Sequence, residues 1–269
     1  MRFLQWEGYR LSYTLITGAS AGIGRAAAFA FAKRGSHLLL VARRLALLEA
    51  LKAEVVALYP TCDVVVIATD LSLRDQVYAL YEQVRSYDIK RWINNAGFGD
   101  YAKIGELNLE KIEQLLHLNI EALTILTSLY VKDHAHVEGS QLVNVSSVGG
   151  YAVVADAVTY CASKFYVSAF TEGLAHEMQR TGAKLSVKLL APAATETEFA
   201  QIAREAGEFD YAKALPKYHT ATQMADFLVQ LCESDNVVGI VDPQTYDFVL
   251  RDPIYPNASN TAQSQLSVQ

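Results

Sequence analysis

Tyr160 and Lys164 form the only Tyr-x-x-x-Lys pair in the chain, and Ser147 stands 13 residues ahead of that tyrosine. A four-residue step sets two side chains on one face of a helix, with Cβ atoms about 5–6 Å apart. An ammonium at that distance favours phenolate over phenol, because a nearby opposite charge stabilises the ionised form. A free tyrosine titrates near 10, so a lowered value would suit proton exchange around neutral pH. Ser147 can hydrogen-bond a substrate oxygen beside the phenol. This is chemistry for a carbonyl/alcohol pair, and it requires a hydride partner.

The elements that would position such a partner begin near residue 11. Leu11 to Thr17 is short, apolar and β-branched, and it runs into Gly18-Ala-Ser-Ala-Gly22-Ile-Gly24. The alanine-rich stretch Arg25 to Lys33 follows, with strong helix propensity and a stop at Gly35. Strand, glycine-rich turn and helix are the setting in which glycine spacing means dinucleotide binding. Glycines allow a tight turn and close approach to a pyrophosphate, whose charge meets the helix N-terminus.

Further strands are expected at His37–Ala42, Asp63–Ala68, Arg91–Ile93, Gln141–Val145, Leu185–Leu190 and Val237–Val241. Helical patterns lie between them at Leu45–Leu58, Leu73–Arg85, Leu109–Val131 and Thr159–Arg180. Apolar strands alternating with helices imply an α/β fold: a doubly wound, Rossmann-like parallel sheet in three α/β/α layers. One domain is expected over residues 1–252. Periodicity weakens at about 195–219, a candidate lid near the carboxyl ends of the strands, where ligands bind. After Arg251 the prolines and polar residues suggest an extended and then disordered tail over 253–269.

The 269 residues are 51% apolar with net charge −6. That is enough to bury one sizeable core, and the charge has the wrong sign for gripping nucleic acid. No apolar run reaches the ~18 residues of a membrane span. The start, Met1 to Glu7, lacks the apolar centre of a secretory signal. Cys62, Cys161 and Cys232 show neither metal-ligand spacing nor a disulfide framework. No metal site is expected, and the cytoplasm is the expected compartment.

The second strand bears on cofactor choice. It ends in Leu40-Val-Ala-Arg43-Arg44, with no carboxylate before Glu49. An acid there would bond a ribose 2′-hydroxyl, whereas arginine accommodates a 2′-phosphate. NADP(H) is therefore favoured, with Arg43 at the deciding position.

Taken together these residues resemble the one-domain short-chain dehydrogenase/reductase family. The carriers are Thr17-Gly18-x-x-x-Gly22-x-Gly24, Asn94-Asn95-Ala96-Gly97, Asn119 in His117-Leu-Asn119, Ser147, and Tyr160 with Lys164, together spanning about residues 11–200. The resemblance implies a reversible NADP(H)-dependent oxidoreductase. Tyr160 would be its general acid/base, Ser147 would orient the carbonyl, and Lys164 would also hold the nicotinamide ribose. Asn119 would anchor a water leading from Lys164 to solvent. The cofactor would lie along Gly18, Ser20, Gly22, Ile23, Gly24, Arg43, Asp70, Asn95, Ala96, Gly97, Tyr160, Lys164, Pro192, Thr195 and Thr197. Asp70 would meet adenine and Thr197 the nicotinamide end.

One departure from the family pattern is Ala193, where glycine is usual, which questions the local backbone. Ser146 and Cys161 are read as packing, and Tyr151, Tyr211 and Tyr218 as candidate pocket walls. The expected partner is a small carbonyl or alcohol substrate. The resemblance also implies a homodimer or homotetramer through the helices of Asn119 and Tyr160. A non-catalytic NADP(H)-binding regulator should have lost one of Ser147, Tyr160 or Lys164. A longer epimerase-type relative should add a C-terminal substrate domain and a Gly-x-x-Gly-x-x-Gly turn.

Overall fold

The computed structural model describes residues 11–204 and 209–257. The first ten residues, the middle of the expected lid and the tail beyond Asn257 lie outside the described residues. Among the described residues seven parallel strands form the sheet: β1 (Ser12–Thr17), β2 (His37–Ala42), β3 (Val64–Ala68), β4 (Asp88–Asn94), β5 (Gln141–Val145), β6 (Ser186–Ala191) and β9 (Val238–Val241). An eighth, β10 (Phe248–Arg251), pairs antiparallel to β9 at the edge. The order is β3-β2-β1-β4-β5-β6-β9-β10. Chain direction across the sheet therefore reverses between β1 and β4, and the crevice outside a reversal is where such sheets bind ligands.

Both faces are covered, and the alternation of side chains in a strand explains how. In β2, Leu38 and Leu40 enter a core shared with Phe31, Leu51 and Leu228. Leu39 and Val41 enter the opposite core with Trp92, Leu126 and Tyr130. The first core is closed by α1 (Gly22–Ala32), α2 (Leu45–Leu58) and α9 (Ala221–Glu233). The second is closed by α3 (Arg74–Val84), α5 (Leu123–His134) and α6 (Val158–Thr181). Here α5 continues α4 (Leu109–Leu116) through a π-type turn, His117–Ala122. The single helix expected over Leu109–Val131 thus contains a local widening, a feature common at functional sites.

A buried polar seam fixes β5 and α6 against β4. Trp92 Nε1 donates to Asn94 Oδ1 at 2.8 Å, and Asn94 Nδ2 donates to Asn144 Oδ1 at 2.9 Å. Asn144 Nδ2 in turn donates to Thr171 Oγ1 on α6 at 2.9 Å. Fully satisfied networks of this kind specify one arrangement of the elements they join.

The candidate lid is anchored at its base by a two-residue parallel pairing of β7 (Thr195–Glu196) with β8 (His219–Thr220), and it carries α7 (Phe199–Arg204) and α8 (Tyr211–Ala214). From Asp252 to Asn257 the chain runs without helix or strand and is docked: Ile254 and Tyr255 donate their backbone N–H groups to Glu172.

Candidate active site

The turn after β1 is shaped by positions that only glycine fills well. Gly18 and Gly22 have φ of +66° and +54°. A Cβ on Gly18 would meet the Ala96 backbone at 2.9 Å, and one on Gly22 would meet Thr197 Cγ2 at 3.0 Å. Thr17 staples the turn to the end of β4, its Oγ1 accepting from the N–H of Asn95 at 3.0 Å and of Ala96 at 2.9 Å. Asn95 replies with Nδ2, which donates to Thr17 O at 2.9 Å. Helix α1 then begins without a side-chain cap and without an acid in its first turn. Its leading amides are left to an anion, which the helix dipole also favours. This cradle fits a dinucleotide diphosphate.

Gly24 is placed differently from the expectation. It does not line the cleft; a Cβ there would stand 2.5 Å from Gly18 O and 2.6 Å from Asn95 Nδ2. Its bareness lets α1 close on the turn, so it acts behind the binding surface. Ala193 causes no strain, since it is not among the residues with positive φ.

At the end of β2, Arg43 faces Asp70 at 4.0 Å. Asp70 Oδ1 is occupied by Ser72, accepting from its backbone N–H at 3.0 Å and its hydroxyl at 2.7 Å. The arginine that reaches the glycine turn is the next one. Arg44 donates to Ser20 Oγ at 3.2 and 3.3 Å and pairs with Glu198 of the lid at 2.9 Å. Sequence spacing pointed to Arg43; the strand-end geometry gives Arg44 the closer contact.

Ser147, Tyr160 and Lys164 converge on one wall. Ser147 follows β5 in extended backbone, and its Oγ accepts from Gly149 N at 3.0 Å. Tyr160 is 7% exposed, with Phe199 at 5.4 Å and Tyr101 at 6.4 Å between ring centroids. Lys164 Nζ lies 5.9 Å from the Tyr160 ring centroid and donates to Val145 O at 2.9 Å. The expected lowering of the phenol is not met in this structure. Burial pushes Tyr160 well above the usual phenol range, and the Ser147 hydroxyl only partly opposes it. Burial also lowers Lys164 from 10.5 to about 8, which weakens the charge it can bring to bear. The phenol is thus held protonated.

Asn119 sits on the π-type turn and does not line the cleft. Its Nδ2 donates to Phe98 O at 2.9 Å and to Ser163 Oγ at 3.2 Å, while Oδ1 accepts from Phe98 N at 3.2 Å. It clamps the backbone after Gly97 to α6 just ahead of Lys164.

These walls enclose a cleft of about 660 Å³, a size suited to a small organic ligand. The remaining expected cofactor residues line it: Gly18, Ser20, Gly22, Ile23, Arg43, Asp70, Asn95, Ala96, Gly97, Pro192, Thr195 and Thr197. Tyr211 lines it too, but Tyr218 only backs Tyr211 at 5.6 Å between rings. Tyr151 turns away to Glu172. Cys161, read as packing, is buried yet also lines the cleft. Tyr101 and Phe199 were not singled out in advance; they flank Tyr160, and Arg204 stands over Tyr101 at 4.9 Å. Nothing local marks a lid aromatic as inward-facing, because its direction depends on how the lid folds back.

Comparison with known proteins agrees with this geometry. The family model described as short chain dehydrogenase matches residues 12–207. The chain belongs to the short-chain dehydrogenase family. Within that family it is 28% identical over 200 residues to human dehydrogenase/reductase SDR family member 11, covering 72% of this chain and 77% of that one. It is 32% identical over 220 residues to sulfoacetaldehyde reductase of Chromohalobacter salexigens, covering 80% and 85%. Among solved structures, a short-chain dehydrogenase from Sphingobium yanoikuyae in complex with NADPH superposes with TM-score 0.77, 28% identity and 96% coverage of each chain. The bulky-bulky ketone specific alcohol dehydrogenase from Comamonas testosteroni gives TM-score 0.74 at 25% identity, covering 96% of this chain and 91% of that one. The family is one of oxidoreductases, and the neighbouring structures include NADP(H)-type complexes.

Proposed function

We propose that this chain is an NADP(H)-dependent oxidoreductase that interconverts a carbonyl compound and its secondary alcohol. The observation that carries the reading is the meeting of Ser147, Tyr160 and Lys164 on one wall of a cleft whose other end is the glycine cradle. NADP(H), when bound, supplies or takes up the hydride. The glycine turn and the open amides of α1 would hold its diphosphate, Arg43, Arg44 and Ser20 its 2′-phosphate, and Lys164 its nicotinamide ribose.

The chain's own part is proton delivery and orientation. Ser147 donates a hydrogen bond to the substrate oxygen, so that negative charge developing there is stabilised in the transition state. Tyr160, kept protonated by burial, gives its proton to the same oxygen. Lys164, charged below about pH 8, favours the phenolate that remains. Asn119 holds the Phe98 backbone and Ser163 in place around that lysine.

The walls Phe98, Tyr101, Leu118, Phe199 and Tyr211 favour a ketone with at least one bulky, apolar flank, in line with the bulky-ketone neighbour. Self-association through α5 and α6 belongs to the same reading, with Tyr166 36% exposed on α6, and light scattering on the purified chain tests it. A cytoplasmic setting is proposed with it, tested by fractionation of the source cells.

The deciding experiment follows NADPH absorbance with a panel of ketones for the unaltered chain and for Tyr160→Phe. Loss of about 10²–10⁴-fold in turnover, with NADPH binding retained by fluorescence titration, is expected. Unchanged turnover in the variant refutes the assignment.

A further inference from the structure

The segment just past the last strand is tied to the catalytic wall by groups that no catalytic role has yet used. Glu172 lies on α6, eight residues and about two turns beyond Lys164, and is 1% exposed. No ion pair neutralises it among the described residues. Its Oε2 accepts the backbone N–H of Ile254 at 2.6 Å and of Tyr255 at 2.7 Å. Its Oε1 accepts the hydroxyl of Tyr151. A buried carboxylate is costly unless its oxygens are hydrogen-bonded, so tail and turn are each committed to it.

Tyr255 closes the loop. Its ring stacks on Tyr151 at 5.3 Å, and its hydroxyl donates to Gly150 O at 2.5 Å. Gly150 ends the turn that starts at Ser147, since Gly150 N donates to Ser147 O at 2.8 Å. On its inner side that turn has no slack. A Cβ on Gly150 would meet Ser168 Oγ at 2.4 Å and both Lys164 O and Ser146 Oγ at 2.6 Å. Ser146 Oγ donates to Lys164 O at 3.0 Å and shares a 2.8 Å hydrogen bond with Ser168. The serine turn is therefore seated on α6 from within and strapped from outside by residues 254–255.

We propose that Glu172 and Tyr255 are positioning residues for Ser147: the docked segment Pro253–Tyr255 is a strap that sets the serine turn against the helix bearing Tyr160 and Lys164. The proposal rests on the oxidoreductase reading, because it gives the strap a consequence for turnover. Neither side chain lines the cleft, so their effect on rate runs through the placement of Ser147. Displacement of a catalytic group by about 1 Å costs roughly 10²-fold in rate, and loss of one strap hydrogen bond should cost a part of that.

Two full-length variants test it. Tyr255→Phe removes only the hydroxyl that holds Gly150 O. Glu172→Gln keeps the shape but turns the two charge-assisted bonds from the tail N–H groups into neutral ones of roughly half the strength, and its NH₂ must donate to the Tyr151 hydroxyl from which the carboxylate accepted. The expected result for each is a fall in kcat of about tenfold, with KM, NADPH affinity and thermal midpoint close to those of the unaltered chain. Amide hydrogen exchange over residues 148–151 should quicken in both. Equal kcat and equal exchange in Tyr255→Phe overturn the strap. So does a fall in activity that only follows a fall in thermal midpoint, which marks a merely structural bond. If the unaltered chain reduces no ketone, the oxidoreductase reading fails, and the exchange measurement still decides whether the strap holds the turn.

Discussion

Lys164→Met should yield a protein that is more stable at neutral pH and unable to turn over. The amine of Lys164 titrates at about 8 where an ordinary lysine titrates at 10.5, because burial disfavours its charge. At ~1.36 kcal/mol for each pH unit of that gap, carrying the charge inside costs about 3 kcal/mol. Methionine has similar length and no charge. It forfeits the bond to Val145 O, and leaving that carbonyl unpaired costs about 1–2 kcal/mol. A net gain of about 1–2 kcal/mol at pH 7 follows.

The pH dependence separates this account from simple repacking. Between pH 8 and 10.5 the unfolded lysine keeps a proton that the folded one has released. The unfolded state then binds more protons, so the unaltered chain gains stability as pH rises. The advantage of the variant should shrink by about 2 kcal/mol between pH 7 and 9.5. Urea unfolding of both proteins at several pH values reads this directly, provided the denaturant slopes match. Parallel stability curves from pH 7 to 10 would refute the claim that the amine is buried at a cost. Titrating groups remote from Lys164 cancel in the difference between the two proteins.

Gly24→Ala should weaken NADPH binding and lower the thermal midpoint together, since its methyl carbon would stand 2.5 Å from Gly18 O; calorimetry that finds both unchanged contradicts the packing role given to this glycine. Arg44→Ala should raise the NADPH dissociation constant about tenfold or more, from loss of a charge-assisted bond of about 1.5–3 kcal/mol, and leave NADH almost untouched. Equal effects on the two nucleotides would mean that Arg44 does not select the phosphate. On the proposed mechanism alcohol oxidation uses the phenolate of Tyr160, and burial holds that group protonated, so the oxidation rate should climb from pH 7 to 9 while ketone reduction does not. A flat oxidation profile measured with NADP⁺ speaks against Tyr160 as the base.

Much of the fold could be read in advance because its strands are buried on both faces and stand out as apolar runs. Gln141–Val145 and His37–Ala42 begin and end where their composition changes. The edge strand β10 escaped notice because half-buried residues such as Phe248 and Leu250 give a weaker pattern over only four positions. In the site, the glycines and the Tyr160/Lys164 pair could be read because their spacing is local to one turn or one helix, whereas Ser147 stands on a separate turn after β5 and joins them only through the fold. Asn119 was expected near Lys164, but its hold on Phe98 depends on a widened turn that no residue type announces. The same holds for Arg44, which beats Arg43 to Ser20 through the direction in which β2 ends. Tyr160 shows the limit of pairwise charge reasoning: a neighbouring lysine was expected to acidify it, and dehydration of both groups outweighs that attraction.

Helix α6 threads Tyr160, Lys164 and Glu172, whose carboxylate accepts the N–H groups of Ile254 and Tyr255, along a single rod of 24 residues. Each residue on such a rod is turned by about 100° from the last. One residue inserted between Lys164 and Glu172 would swing the anchor a quarter-turn or more away from Ile254 and Tyr255 without touching the chemistry upstream. Relatives should therefore tolerate length changes in the segment between Thr197 and Thr220 far more readily than a single added residue along this rod.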